Sequence, residues 1–136
     1  MSPDKVEYEK IAVVEMAAGS PVEYLPFVEW RDVRLPSWAN EHDRFVVVRV
    51  CGDSLLNAER APVRNGDYAL VHLTGDVRDG DLAAVLTPEG MMLKFIHNEP
   101  GGRIRLDPAN PDYDSRCFEA SEVTIQGRVI RTEHDW

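Results

Sequence analysis

At 136 residues, 43% apolar and 29% charged, the chain suits one soluble domain with a sizeable core. A formal net charge of −9, with basic residues scattered among acids, argues against a face for nucleic-acid phosphates, so no direct DNA binding is expected. No apolar run approaches the roughly 20 residues that span a bilayer, and Met1-Ser2-Pro3-Asp4-Lys5 is unlike a secretory signal, so a cytoplasmic protein without membrane contact is expected.

In chain order, short β-branched runs alternate with turn signals and no long helical period occurs. Ile11–Glu15 reads as a first strand. Residues 17–44 differ: Gly19, Pro21, Pro26 and Pro36 punctuate them, and Tyr24, Phe27, Trp30 and Trp38 are dense. They read as an arm that packs on the domain without needing to join its sheet. Phe45–Val50 is the strongest strand and feeds directly into Gly52-Asp53-Ser54. A turn or two of helix is expected over Leu55–Arg60, stopped by Pro62. Strands follow at Tyr68–His72, Leu82–Leu86, Met91–His97, Ile104–Leu106 and Val123–Arg131, with Pro88-Glu89-Gly90 as a hairpin turn. Closely spaced strands with Gly and Asp turns predict an all-β barrel or sandwich.

Cys51 and Cys117 have no metal spacing and form no disulfide framework, and Cys51 suits a buried thiol. His42, His72, His97 and His134 match no metal-binding pattern, so neither a metal nor a cofactor is expected.

Three short segments carry chemistry. Ser54 follows a strong strand and a Gly-Asp pair; a junction of that kind exposes a hydroxyl and aims the Asp53 and Ser54 N–H groups outward as an oxyanion hole. Taken alone, a serine after Gly-Asp at a strand end is more often a turn former or a helix cap. Lys94 sits in the apolar strand Met91-Met92-Leu93-Lys94-Phe95-Ile96. Burial there disfavours the ammonium and makes a base; on the wet face of an edge strand the same lysine only protects the edge. Ala17-Ala18-Gly19-Ser20-Pro21 has small residues that let an extended backbone enter a narrow cleft, or is simply a small-residue loop.

Their order carries a resemblance. The chain resembles the peptidase domain of LexA-type self-cleaving proteins, a group that includes UmuD and phage repressors. Ala18-Gly19 looks like the family's cleavage site, and Gly52-Asp53-Ser54-Leu55 resembles its Gly-Asp-Ser-Met nucleophile motif, with Leu55 in place of Met. Asn65-Gly66-Asp67-Tyr68-Ala69-Leu70-Val71, Asp79-Gly80-Asp81 with Leu93-Lys94-Phe95, Leu106–Tyr113 and Ile125–Ile130 are similar to further family motifs in the same order. Leu55–Asn65 is a few residues longer than the family leads one to expect.

The resemblance implies a LexA/signal-peptidase-like β-barrel or clip of short twisted strands, with residues 1–44 as the arm bearing the cleavage site and 45–136 as the peptidase domain. It implies a Ser–Lys dyad of Ser54 and Lys94, an oxyanion hole from the Asp53 and Ser54 N–H groups, and a cut between Ala18 and Gly19. A homodimer, a RecA-type filament as co-protease, a role in the SOS response to DNA damage and a translesion polymerase as partner follow as expectations. Only 17 residues precede Ala18, too few for a helix-turn-helix domain; this favours a UmuD-like stand-alone form over the peptidase part of a repressor. A dimerisation module that does not cut, and a signal-peptidase-like enzyme acting in trans, are the alternatives.

Overall fold

The computed structural model describes residues 8–16, 22–50, 67–108 and 114–133. Nine strands occur there: β1 (Tyr8–Glu15), β2 (Phe27–Arg34), β3 (Phe45–Arg49), β4 (Tyr68–His72), β5 (Leu82–Thr87), β6 (Gly90–Glu99), β7 (Arg103–Asp107), β8 (Arg116–Glu119) and β9 (Thr124–Glu133). Two 3-10 turns, Val22–Tyr24 and Ala120–Glu122, are the helical elements among the described residues. The all-β class read from the sequence is the class observed. The strands form one open mixed sheet in the order β2-β1-β3-β4-β9-β5-β6-β7-β8. The β1–β3 pairing is parallel and the others are antiparallel.

The middle strands are apolar on consecutive residues because both of their faces are covered. Val46, Val47 and Val48 of β3, Ala69, Leu70 and Val71 of β4, and Ala83, Ala84 and Val85 of β5 are all buried. Alternation sorts them. Val46, Val48, Ala69, Val71, Ala84, Met91 and Leu93 form one cluster with Val22 and Leu25, which come from the turn after β1. On the opposite face, Val47 and Leu70 pack with Ile11, Val13, Val33 and Leu35. Further along the sheet, Ala83 and Val85 pack with Ile96, Ile104, Leu106 and Phe118.

β9 joins the two halves. Its residues 128–133 pair with β4 and its residues 124–128 with β5, and the register shifts on both sides, at Leu70/Val71 and at Ala84/Val85. Gly127 sits at this hand-over. A Cβ there would lie 2.5 Å from the His72 carbonyl oxygen and 2.6 Å from Val71 Cγ1. Backbone on β4 cannot move aside without breaking its own ladder, so only glycine lets β4 and β9 approach this closely.

The β5–β6 turn is a two-residue hairpin, with Thr87 opposite Gly90 and Pro88-Glu89 between them. The Glu89 N–H donates to Thr87 Oγ1 (3.0 Å) and that hydroxyl donates to the Gly90 carbonyl (3.1 Å), while Gly90 takes φ 116°. Two strands were not read from the sequence. β2 lies within residues 17–44, which were expected to form an arm that need not join the sheet; it pairs along β1 and forms one edge of the sheet. Val33 is its one buried residue, so it carries no two-residue alternation to detect. β8 has four residues, with Phe118 alone buried. The helical turn expected over Leu55–Arg60 lies outside the described residues.

Replacing Gly127 with alanine is expected to destabilise the fold by about 1–3 kcal/mol, the usual cost of overpacking. Urea denaturation should show a lower midpoint with an unchanged slope; an unchanged midpoint would contradict the close approach.

Candidate active site

β6 pairs with β5 along its first half, through Phe95, and with β7 along its second half, from Phe95 on. Lys94 lies in its middle, directly opposite Ala83. The register puts it on the face of Met92 and Ile96, against the cluster of Ala83, Val85, Ile104 and Leu106. Lys94 is only 9% exposed, so the wet-edge alternative fails. Its neighbours offer little solvation: Ala83 is a methyl group, and the rest of that cluster is aliphatic or aromatic. Burial pushes the amine below the ordinary lysine value of 10.5, and burial is the sole cause. The ammonium thus gives up water without gaining a compensating charge among the described residues, which favours the neutral, basic form.

Ser54, Asp53, Ala18 and Gly19 lie outside the described residues, but the strands that lead to them are in place. β1 and β3 run parallel, with Glu15 beside Arg49. The Met16 N–H donates to the Arg49 carbonyl (3.2 Å), and the Val50 N–H donates to the Asp67 carbonyl (2.8 Å). The ends of β1 and β3 therefore lie side by side; in sequence, Ala18-Gly19 follows the first and Ser54 the second.

Downstream of Gly19 the chain is held again. The Val22 N–H donates to Gln126 Oε1 (3.1 Å), and the side chains of Val22 and Leu25 are buried in the core. The Glu15 N–H donates to the Pro26 carbonyl (3.0 Å). Gln126 was not singled out from the sequence. It is the unpaired residue of the β5–β9 register shift, between Ile125 and Gly127; a bulge of this kind re-aims a side chain out of the strand's alternation. Only strand pairing reveals it.

At the far end of β6 lies a charged cluster that the sequence reading also missed. His97 Nε2 is 3.1 Å from Asp107 Oδ2, and its Nδ1 is 3.5 Å from Asp79 Oδ2. Arg105 pairs with Asp107 (2.9 Å) and with Glu99. The backbone N–H of Asn98 leads the causes that hold Asp79 below the usual carboxylate range. For Asp107, burial opposes ionisation, but hydrogen bonds from Ser115 and Arg105 outweigh it and its acidity is raised. These groups fasten β6 to β7 and to the 79–81 turn, on the sheet face opposite Lys94. Among the described residues no group of three or more His, Cys, Asp or Glu side chains is placed to hold a metal ion. Cys117 is a free, exposed thiol, and no helix of the described residues is long and apolar enough to cross a membrane.

A lysine desolvated against an apolar cluster is a group whose neutral form can serve as a base. The chain belongs to the Peptidase S24-like family, whose profile matches residues 10–130. It is similar to proteins named LexA repressor. The one from Erythrobacter litoralis is 32% identical over 115 residues, covering 84% of this chain and 47% of that protein. That from Novosphingobium aromaticivorans is 38% identical over 117 residues, with 85% and 47% covered. That from Zymomonas mobilis is 32% identical over 133 residues, with 95% and 58% covered. The chain thus spans about half the length of the curated relatives it matches.

The depressed Lys94 fixes the sign of a pH effect. Between its folded value and 10.5 the unfolded chain binds the extra proton, so this residue's contribution to stability rises with pH across that window. Below the window the cost of the buried ammonium is fully present. Lys94→Met is expected to stabilise the fold by about 0.5–2 kcal/mol at neutral pH. Urea denaturation should show that advantage shrinking toward pH 10.5, the ordinary lysine value; a pH-independent difference would contradict the burial of the amine.

Proposed function

We propose that this protein is a self-cleaving serine peptidase that cuts its own Ala18-Gly19 bond, with Ser54 as nucleophile and Lys94 as base. The observation that carries the reading is Lys94, buried opposite Ala83 on the face of an apolar cluster, where desolvation shifts its amine toward the neutral form. Neutral Lys94 takes the Ser54 hydroxyl proton as the oxygen attacks the Ala18 carbonyl carbon. The Asp53 and Ser54 N–H groups hold the oxyanion. The Ala18–Gly19 C–N bond then breaks, and Lys94 passes the proton to the leaving Gly19 amine. Water, activated by the same amine, attacks the acyl-serine; this frees the Ala18 carboxylate and restores Ser54.

Carrying the bond in residues 1–44 and the dyad in residues 45–136 makes the attack unimolecular. Such proximity is worth about 7–11 kcal/mol at best. Cutting stays under control only where the cleavable geometry is sparsely populated, and a partner that favours it acts as the trigger. In this reading the trigger is a RecA-type filament formed on DNA damage, the cut is an SOS switch in the cytoplasm, and the protein works as a homodimer.

Two settings fit that chemistry. In a UmuD-like stand-alone form, trimming releases a product that works with a translesion polymerase. In the other, the chain is the peptidase part of a LexA-like repressor. The second is favoured by the relatives, which are named LexA repressor and are about twice the length this chain spans.

Incubation at pH about 10, near the intrinsic lysine value, separates cutting from a module that only dimerises. Mass spectrometry is expected to find one fragment ending at Ala18 and one starting at Gly19. The rate should rise about tenfold per pH unit until Lys94 is neutral. Ser54→Ala and Lys94→Ala should each stay intact; cleavage in either variant would overturn the assignment.

A further inference from the structure

We propose that Gln126 is a positioning residue for the self-cleavage: its side-chain carbonyl fixes the backbone on the leaving-group side of Ala18-Gly19. This role rests on the reading above, in which Ser54 and Lys94 cut that bond.

Ala18 follows Met16 by two residues and Gly19 precedes Val22 by three. Both flanks are tied to the sheet. Upstream, the Met16 N–H donates to the Arg49 carbonyl (3.2 Å). Downstream, the Val22 N–H donates to Gln126 Oε1 (3.1 Å), a contact between residues 104 positions apart. Val22 opens the 3-10 turn Val22–Tyr24, so its N–H needs an acceptor from outside the turn. Val22 and Leu25 are buried among Val48, Ala84, Met91 and Leu93. That burial holds the stretch on the sheet, but apolar contact is non-directional. A hydrogen bond is directional, so Gln126 sets the line along which the backbone arrives from Gly19.

β9 is built to place this acceptor. Its ladder with β5 sets Ile125 opposite Val85 and Gly127 opposite Ala84, which leaves Gln126 as the extra residue. A bulge turns such a side chain out of the strand's alternation. Gly127, next in the chain, makes the close approach to β4 described above, so the bulge is pinned in register. In an intramolecular attack the rate follows the fraction of time that the carbonyl spends in the attack geometry. A span tied firmly at both ends samples fewer arrangements than one tied at a single end. Loss of the Gln126 acceptor therefore lowers that fraction and leaves the base as it was.

Gln126→Met removes the acceptor at nearly constant volume. It is expected to slow alkaline self-cleavage about three- to tenfold, the worth of one net hydrogen bond, and by the same factor at every pH. Gln126→Glu keeps an oxygen acceptor and should cleave at close to the unsubstituted rate. In the Ser54→Ala protein, Gln126→Met should also speed hydrogen exchange at the Val22 amide about three- to tenfold. The Val50 amide, bonded to the Asp67 carbonyl, should be unchanged. Unchanged or faster cleavage of Gln126→Met, a displaced pH midpoint, or a Gln126→Glu protein as slow as Gln126→Met would each overturn the proposal and leave the Ser54–Lys94 reading standing. An equally protected Val22 amide in Gln126→Met would do the same. Absence of cleavage from the unsubstituted chain would overturn that reading and this role together.

Discussion

The chemistry open to this molecule depends on one unfavourable interaction: an amine is held out of water in the middle of a sheet. A lysine on a wet face reaches solvent by extending its stem, whereas Lys94 lies opposite Ala83 of β5, one residue before the β7 ladder begins, on the face of an apolar cluster, and is only 9% exposed. No carboxylate among the described residues offsets the lost hydration, so the cost falls on the protonated form. Retaining such a group makes physical sense where the neutral amine has work to do, and a serine base is work of that kind.

The rest of the sheet serves that placement. β5 gives Lys94 an alanine for its opposite number, which leaves room for the long side chain. β7 flanks β6 from Phe95 on and is fastened to it by the His97–Asp107 and Arg105–Glu99 contacts. β9 connects this half to the half containing β1 and β3, whose ends lie side by side. The close approach at Gly127 keeps the two halves in register. Beyond the site, Gln126 and the buried Val22 and Leu25 hold the chain just downstream of Gly19.

Much of this was legible where burial leaves a pattern. The Val-rich run of β3 and the apolar runs of β4, β5 and β6 announce strands covered on both faces, and Pro88-Glu89-Gly90 announces its hairpin. β2 was not legible, because an edge strand with one buried residue shows no period, and its prolines and aromatics pointed toward an arm. Lys94 was half legible. Its apolar neighbours made burial conceivable, but its burial depends on the distant residues Ile104, Leu106 and Phe118 packing over its face. Gln126 and the His97 cluster were invisible for the same reason: they arise from register between distant strands. Ser54, Asp53, Ala18 and Gly19 were singled out from local residue types and from the order of motifs.

The central claim is that Lys94 is poised toward its neutral form before any partner arrives. The most direct measurement is an NMR titration of the Lys94 side chain in the Ser54→Ala protein, which removes the nucleophile and leaves the amine in place. A midpoint clearly below 10.5 is the predicted result. A midpoint at or above that ordinary lysine value would mean that the amine is solvated or paired, and would contradict the account.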